Sequence, residues 1–177
     1  MYMGLFRKIA DIAYSADTKF SSSPEAKGQR FENHVKSLFS ERYFAVAYQT
    51  PSFRDNKDRY VESSLHPDFI FRYKPTGEQF GVECKYRSSL NNRDMLEWSN
   101  PEQIKRYQKF SKEKQIPVFV VIALEGFIEE NGYEEPETFM FNIPLEVAKY
   151  PTLYPSVFEK YQRPYDKNFF WKNGKLS

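Results

Sequence analysis

Hydrophobic residues recur at helical spacing in two stretches near the start of this 177-residue chain. The first stretch predicts a short helix over Leu5–Ala13, or about residues 4–14 with its ends included. The second predicts a helix from Pro24 to about Ser40, because a serine precedes the proline as a cap and an apolar stripe follows. That stripe consists of Phe31, Val35 and Leu38.

Alternating or continuous apolar runs predict strands farther along the chain. The run at Val118–Leu124 is almost wholly apolar, which is typical of a strand that is buried on both faces and parallel to its neighbour. A helix from Asn100 to about Lys114 precedes it, the polar residues 52–64 are predicted to form a loop, and Thr138–Ile143 could add an edge strand. The three earlier strands are predicted at Tyr43–Thr50, Asp68–Tyr73 and Gln79–Arg87.

The predicted order of elements is α-β-β-β-α-β, which indicates an α/β fold because a helix between two parallel strands forms a crossover. The length predicts one domain over residues 1–177, with a core at about 24–124 and an aromatic-rich C-terminal extension at 138–177. Aromatic residues of the extension could stack on bases, but covering the sheet is the favoured interpretation.

Composition narrows the class of protein. A chain that is 40% hydrophobic and 28% charged is neither a disordered tail, a collagen nor a membrane bundle. No run approaches the roughly 18 apolar residues that span a membrane. Cys84 is the only cysteine and cannot form an internal disulfide, so we expect a reducing, cytoplasmic location and no contact with a membrane.

Three charged residues in two adjacent predicted strands suggest chemistry. Asp68 opens one strand, and Glu83-Cys84-Lys85 lies in the next. Alternation places Glu83 and Lys85 on one face and Cys84 on the opposite, core-facing one. Two converging carboxylates repel each other unless a cation lies between them, and Mg²⁺ (or Mn²⁺) suits such a site. With a lysine that orients or deprotonates the nucleophile, this set predicts hydrolysis of a phosphodiester.

Simpler interpretations of these residues exist. The three charges could form no more than a cross-strand ion pair on a surface hairpin. His66 lies two residues before Asp68 and could join it as a metal ligand, but His34, on a helix, is the only other histidine. One cysteine and two histidines disfavour zinc. The core-facing position of Cys84 disfavours it as a nucleophile.

The two predicted helices carry further candidates. Glu32 lies one turn after Gly28 in the first helix, and a glycine there would let another segment approach closely. Gln103 and Tyr107 are four residues apart and share one face of the second helix. Taken separately, Gln103 could be only a helix cap and Tyr107 only a core residue.

Together these motifs resemble the PD-(D/E)XK nuclease superfamily, in their order and in their placement on helix and strands. The Gln-xxx-Tyr pair resembles the motif of the exonuclease branch that is involved in recombination. The resemblance spans about Pro24 to Leu124 and implies a restriction-endonuclease-like core with a mixed β-sheet flanked by helices. The residues that carry it are Glu32, Pro67-Asp68, Glu83-Cys84-Lys85, Gln103 and Tyr107.

By this resemblance, Asp68 and Glu83 would bind Mg²⁺ or Mn²⁺, Glu32 could add a further ligand, and Lys85 would be catalytic. Gln103 and Tyr107 would help to build the site or hold the DNA.

The predicted function is therefore metal-dependent hydrolysis of DNA, and the alternative is a non-cleaving nucleic-acid-binding or structural module on the same fold. Little of the chain is left for a recognition domain, so a homodimer or a separate partner could supply specificity. Lys105, Lys109 and Lys112 form a stripe along the second helix that could contact DNA phosphates or could be only a solvated face.

Overall fold

The computed structural model of the protein describes residues 23–51, 66–130 and 133–177. The predicted helix over Leu5–Ala13 and the predicted loop over 52–64 lie outside these ranges. Within them, no helix combines the length and the apolar composition that crossing a membrane requires. The elements are α1 (Pro24–Ser37), β1 (Phe44–Gln49), β2 (Phe69–Tyr73), β3 (Gln79–Arg87), β4 (Leu96–Glu97), α2 (Pro101–Lys114), β5 (Val118–Glu130), β6 (Tyr133–Pro144), β7 (Thr152–Leu153), α3 (Pro155–Phe158), a 3₁₀ turn (Glu159–Tyr161), β8 (Gln162–Arg163), β9 (Trp171–Lys172) and β10 (Lys175–Leu176).

A six-stranded sheet in the order β1-β2-β3-β5-β6-β8 forms the centre of the fold. β3 and β5 are parallel and are connected through α2, whereas the other neighbouring strands are antiparallel. Two small antiparallel sheets, β4 with β7 and β9 with β10, lie outside it. The predicted α/β fold, its mixed sheet and its α-β-β-β-α-β order are confirmed.

Both long helices start where their caps predict. The Ser23 hydroxyl and the Asn100 side-chain oxygen each accept a hydrogen bond from a backbone N–H of the first turn, and a proline follows each cap. α1 ends at Ser37, three residues before the predicted end. There the Leu38 N–H donates to the Val35 carbonyl at 3.1 Å, so a tighter turn replaces the last helical turn.

Apolar clusters cover both faces of the sheet. α1 packs Phe31 and Val35 against one face, and α2 packs Ile104 and Phe110 against the other. β5 contributes to both clusters, which explains its continuous apolar run. The first cluster receives Phe119, Val121 and Ala123, and the second receives Val118, Val120, Ile122 and Leu124.

Aromatic residues of the C-terminal extension cover part of the sheet, as the favoured interpretation predicted. Phe169 stacks on Phe39, with ring centroids 4.5 Å apart, and Trp171 stacks on Phe80 at 4.4 Å. Phe158 is buried in the cluster on the α2 side. These rings therefore belong to the hydrophobic core and are not accessible to bases.

The strand predicted over Thr138–Ile143 exists, but its predicted place at the edge of the sheet is wrong. β6 is longer at both ends, and β8 pairs with it at Met140 and Phe141, so β8 forms that edge. β5 also continues past Leu124 to Glu130 along its partner β6. The added residues are largely polar, so hydrophobic patterning could not find them; backbone pairing between the two strands carries this part of the hairpin.

Gly81 allows the segment before β2 to lie close to β3. A Cβ atom at this position would lie 2.9 Å from Pro67 Cγ and 3.1 Å from Val118 Cγ2. We expect Gly81→Ala to lower the free energy of unfolding by about 1–3 kcal/mol, because the proline must shift. Denaturant titration followed by circular dichroism measures this change.

Gly28→Ala is the matched control. In α1 a Cβ at Gly28 would meet no described atom within 4 Å, so no segment in the described part of the chain makes the close approach that the sequence suggested. Because alanine favours a helix interior, this variant should gain about 0.5–1 kcal/mol. Equal losses in the two variants would contradict the close packing at Gly81.

Candidate active site

Asp68 and Glu83 lie opposite each other on neighbouring strands. β2 and β3 are antiparallel with Phe69 opposite Val82, which places the preceding Asp68 beside Glu83. The Asp68 N–H donates to Glu83 Oε2 at 3.2 Å, and the Cys84 N–H donates to Asp68 Oδ2 at 2.7 Å. The backbone of each strand thus holds the carboxylate of the other, and the predicted convergence of the two acids is present.

The segment before β2 is fixed from the side of β1. The Thr50 hydroxyl donates to the Pro67 carbonyl at 3.0 Å, and the Thr50 N–H donates to the Asp68 carbonyl at 2.9 Å. On the other side Pro67 packs over Gly81. Asp68 therefore projects from a backbone that two strands constrain.

Glu83 is a buried carboxylate with two side-chain donors on one oxygen. Its exposed fraction is 3%. Lys85 Nζ and the Tyr107 hydroxyl each lie 2.6 Å from Glu83 Oε1. Charge-assisted hydrogen bonds of this kind compensate for the loss of water around a buried charge. Tyr107 thus packs in the core and also binds Glu83 through its hydroxyl.

Glu32, in α1, lies close enough to Glu83 and Lys85 for their charges to affect the pKa of its carboxyl group. Burial raises the pKa of Glu32, and the negative charge of Glu83 raises it further, while Lys85 acts in the opposite direction. Gln29 Nε2 donates to Glu32 Oε2 at 3.3 Å. α1 therefore places the Glu32 carboxylate within electrostatic range of Glu83 and Lys85.

Negative charge exceeds positive charge in this group. Burial is the largest influence that raises the pKa of Asp68 well above its usual value, and the charges of Glu83 and Glu32 add to it. Burial lowers the pKa of Lys85, but Glu83 and Asp68 outweigh it, so that the pKa of this lysine lies above its usual value. Three carboxylates with one ammonium group form a site that favours an additional cation.

The donor set fits a hard divalent cation. Asp68 and Glu83 offer oxygen ligands, and Asp68 Oδ1 accepts none of the hydrogen bonds found among the described residues. In the same part of the chain, no group of three or more His, Cys, Asp or Glu side chains is arranged to hold an ion. A cation held by Asp68 and Glu83 would keep several water ligands, as Mg²⁺ does when one or two carboxylates bind it.

The side chains of two other residues considered from the sequence, His66 and Cys84, pack against apolar groups. The His66 ring packs edge-on against Tyr48 and Phe110, at centroid distances of 5.1 and 5.2 Å. The Cys84 side chain is buried, and burial followed by the charge of Asp68 raises the pKa of its thiol well above the usual value. A neutral buried thiol is a poor nucleophile.

α2 turns its other candidates away from the carboxylates. Gln103 Oε1 accepts a hydrogen bond from the Ser99 hydroxyl at 2.8 Å, and no hydrogen bond from Gln103 to Asp68, Glu83 or Lys85 is found. The three lysines of the stripe are exposed. At about 100° per residue they lie roughly 140–160° from Tyr107 around the helix axis, on the outer face. They are Lys105, Lys109 and Lys112.

The sequence analysis missed a second polar group at the same end of the sheet. Lys27 Nζ and the Tyr86 hydroxyl lie 2.8 and 2.5 Å from Glu125 Oε1. Tyr86 directly follows Lys85, and Glu125 directly follows the buried run of β5. Because β3 and β5 are parallel, these positions could have indicated from the sequence that the two side chains lie close together. This group ties α1 to both strands beside the carboxylates.

Comparison with known proteins finds similarity to solved structures. No protein-family model matches the sequence, and no curated protein matches it. The fold is similar to Hjc, a Holliday junction resolvase from the archaeal hyperthermophile Archaeoglobus fulgidus, with a TM-score of 0.49 and 16% sequence identity. The match covers 74% of this chain and 89% of that chain. At this level of similarity, the chemistry of the site has to be judged from its own residues.

The excess of negative charge should destabilise the metal-free protein. We expect Asp68→Asn to raise the free energy of unfolding by on the order of 1 kcal/mol, or roughly 2–4 °C in Tm, because the amide keeps an acceptor for Cys84 and removes a charge. Thermal unfolding in EDTA measures this shift. Asp166→Asn, whose parent side chain is 87% exposed, should change stability by less than about 0.5 kcal/mol. A lower Tm for Asp68→Asn would contradict the proposed crowding of charge.

Proposed function

We propose that this protein is a metal-dependent nuclease that hydrolyses phosphodiester bonds in DNA. One observation carries the proposal: the buried Glu83 carboxylate binds Lys85 and Tyr107 through one oxygen, beside Asp68. Phosphoryl transfer requires positive charge near developing negative charge, together with fixed oxygen ligands for a metal ion. The resemblance to the PD-(D/E)XK superfamily supports the same assignment.

A non-cleaving module on this fold is the rival function. Burying several charges is unfavourable, and apolar residues of similar volume often give equal or greater stability. A module that needed only the fold would gain nothing from the group formed by Asp68, Glu83 and Lys85. Its presence therefore favours the enzyme.

Asp68 and Glu83 would hold Mg²⁺ or Mn²⁺, and Glu32 would add negative charge or a further ligand. When bound, such an ion supplies a more acidic water and neutralises charge on a phosphoryl oxygen. The backbone N–H groups at Asp68 and Cys84 keep the two carboxylates in place. Little reorganisation is then needed on binding.

Lys85 would act on the substrate from the Glu83 side. Its ammonium group lies 2.6 Å from Glu83 Oε1 and can stabilise negative charge on the phosphate or orient the attacking water. Tyr107 holds the same oxygen through its hydroxyl and is a positioning residue. Gln103, which has no hydrogen bond to this group, would contact the DNA.

We expect Lys85→Ala to lower the cleavage rate by at least about 100-fold while metal binding is kept, because an ammonium group has no lone pair with which to bind a metal ion. Asp68→Asn should lower both the cleavage rate and the affinity for the metal ion. Cleavage is measured on labelled single-stranded, duplex and four-way branched DNA with Mg²⁺ or Mn²⁺, and metal binding by calorimetry.

The exposed Lys175→Ala variant is the control for loss of one lysine, and melting curves show whether each variant is folded. Cleavage by Lys85→Ala at the wild-type rate would exclude the catalytic role of this residue.

The lysine stripe gives a separate test of DNA contact. If Lys105, Lys109 and Lys112 neutralise phosphates, each alanine replacement should reduce the slope of log affinity against log salt concentration by about 0.7–0.9. Anisotropy titrations at several salt concentrations measure the slope. Lys172→Ala with Lys175→Ala, on the β9–β10 hairpin, is the matched control. An unchanged slope in the triple variant would show that the stripe is a solvated face.

A further inference from the structure

Two tyrosines on either side of β7 are unusually exposed. Tyr150 and Tyr154 expose 62% and 64% of their surface and are the most exposed large hydrophobic residues in the described part of the chain. Lys149 Nζ lies 5.5 Å from the centroid of the Tyr150 ring. Neither ring supports the core, so a role in packing does not account for them.

Their backbone is held firmly although their rings are exposed. β7 lies between them and pairs with β4, and Leu153 is buried. Trp98 Nε1 donates to the Tyr150 carbonyl at 2.7 Å, and the Trp98 N–H donates to the Pro151 carbonyl at 2.9 Å. Tyr154 directly follows Leu153 in extended chain, so its side chain lies on the face opposite the buried Leu153, whereas Tyr150 lies at a bend before β7.

Arg87 connects the segment that contains Tyr150 and Tyr154 to the candidate active site. It lies two residues after Lys85 on the same strand, and thus on the same face. Its guanidinium donates to the Trp98 carbonyl at 2.5 Å and to the Glu97 carbonyl at 2.6 Å. Hydrogen bonds therefore join β3, through Arg87 and Trp98, to Tyr150.

A polar cleft of about 510 Å³ lies along this connection, between the end of β3 and the start of α2. Its amides are Asn91, Asn100 and Gln103, and in each the side-chain oxygen accepts a hydrogen bond from within the chain. No hydrogen bond from their NH₂ groups is found among the described residues, which makes these groups candidate donors for a ligand. Arg87 and Glu97 carry opposite charges, so the cleft offers hydrogen bonds with little net charge.

We propose that Tyr150 and Tyr154 form a stacking platform for unpaired bases of a DNA strand whose backbone passes through this cleft from Lys85. The proposal rests on the nuclease function and specifies the form of its substrate. Exposed aromatic faces bind any base by stacking, and such binding requires bases that are not already stacked in a duplex. The Lys149 ammonium group adds a contact for a phosphate.

Binding in EDTA tests the platform without cleavage. The probes are a fluorescein-labelled oligothymidylate and a blunt hairpin duplex, titrated by fluorescence anisotropy. We expect Tyr150→Ala and Tyr154→Ala each to weaken oligothymidylate binding by about 5- to 100-fold, with duplex binding and the salt slope unchanged. Tyr150→Trp should keep the affinity, because it keeps a ring.

Phe170→Ala is the matched control, since Phe170 is 55% exposed and lies on the C-terminal hairpin. It should bind both probes as the wild type does.

Wild-type affinity in the Tyr150→Ala, Tyr154→Ala double variant, or no affinity of the wild type for oligothymidylate, would overturn the platform. Loss of self-association in this variant by sedimentation, with DNA binding kept, would overturn it in favour of an interface between two copies. Absence of cleavage with Mg²⁺ or Mn²⁺ would instead reject the nuclease, while the loss of oligothymidylate binding would remain measurable.

Discussion

The buried carboxylate of Glu83 is the constraint on which the arrangement of this site depends. A carboxylate with 3% exposure needs donors from the protein, because water cannot supply them. Three elements provide these donors: Lys85 from the same strand, Tyr107 from α2 and the Asp68 N–H from the start of β2. Displacing any one element would leave the charge partly unsatisfied. The site therefore couples the position of α2 to that of two strands.

The two apolar clusters stabilise the fold and thereby offset the unfavourable free energy of burying the charges of the site. β3 lies in the interior of the sheet, with Val82 and Cys84 in the cluster on the α1 side and Glu83 facing α2. The parallel neighbour β5 is apolar on both faces, so the sheet keeps its stability although β3 carries charges. Burial of apolar surface stabilises the fold at about 25 cal/mol per Å², which is enough to offset a few unfavourable charges.

Much of the fold and part of the site could be predicted from local sequence signals. Alternation along a strand placed Glu83 with Lys85 and turned Cys84 to the core, and cap residues marked the helix starts. The hydrogen bond from Tyr107 to Glu83 could not be derived in this way, because it depends on how α2 lies across the sheet. Nor could the surroundings of Gly28 be derived, where a Cβ would meet no atom of the described residues, since a glycine in a sequence does not show whether the space beside it is filled.

The distribution of charge constrains how a polyanion could reach this site. Three carboxylates surround one lysine, and the lysine stripe lies on the outer face of α2, away from Tyr107. The charge of the site alone would therefore repel DNA, and neutral contacts near the site gain importance. The cleft beside Arg87 offers amide donors, and the exposed Tyr150 is joined to Arg87 by hydrogen bonds through Trp98. Hydrogen bonding and stacking would keep a strand near the carboxylates, and the metal ion would supply the missing positive charge only where the bond is broken.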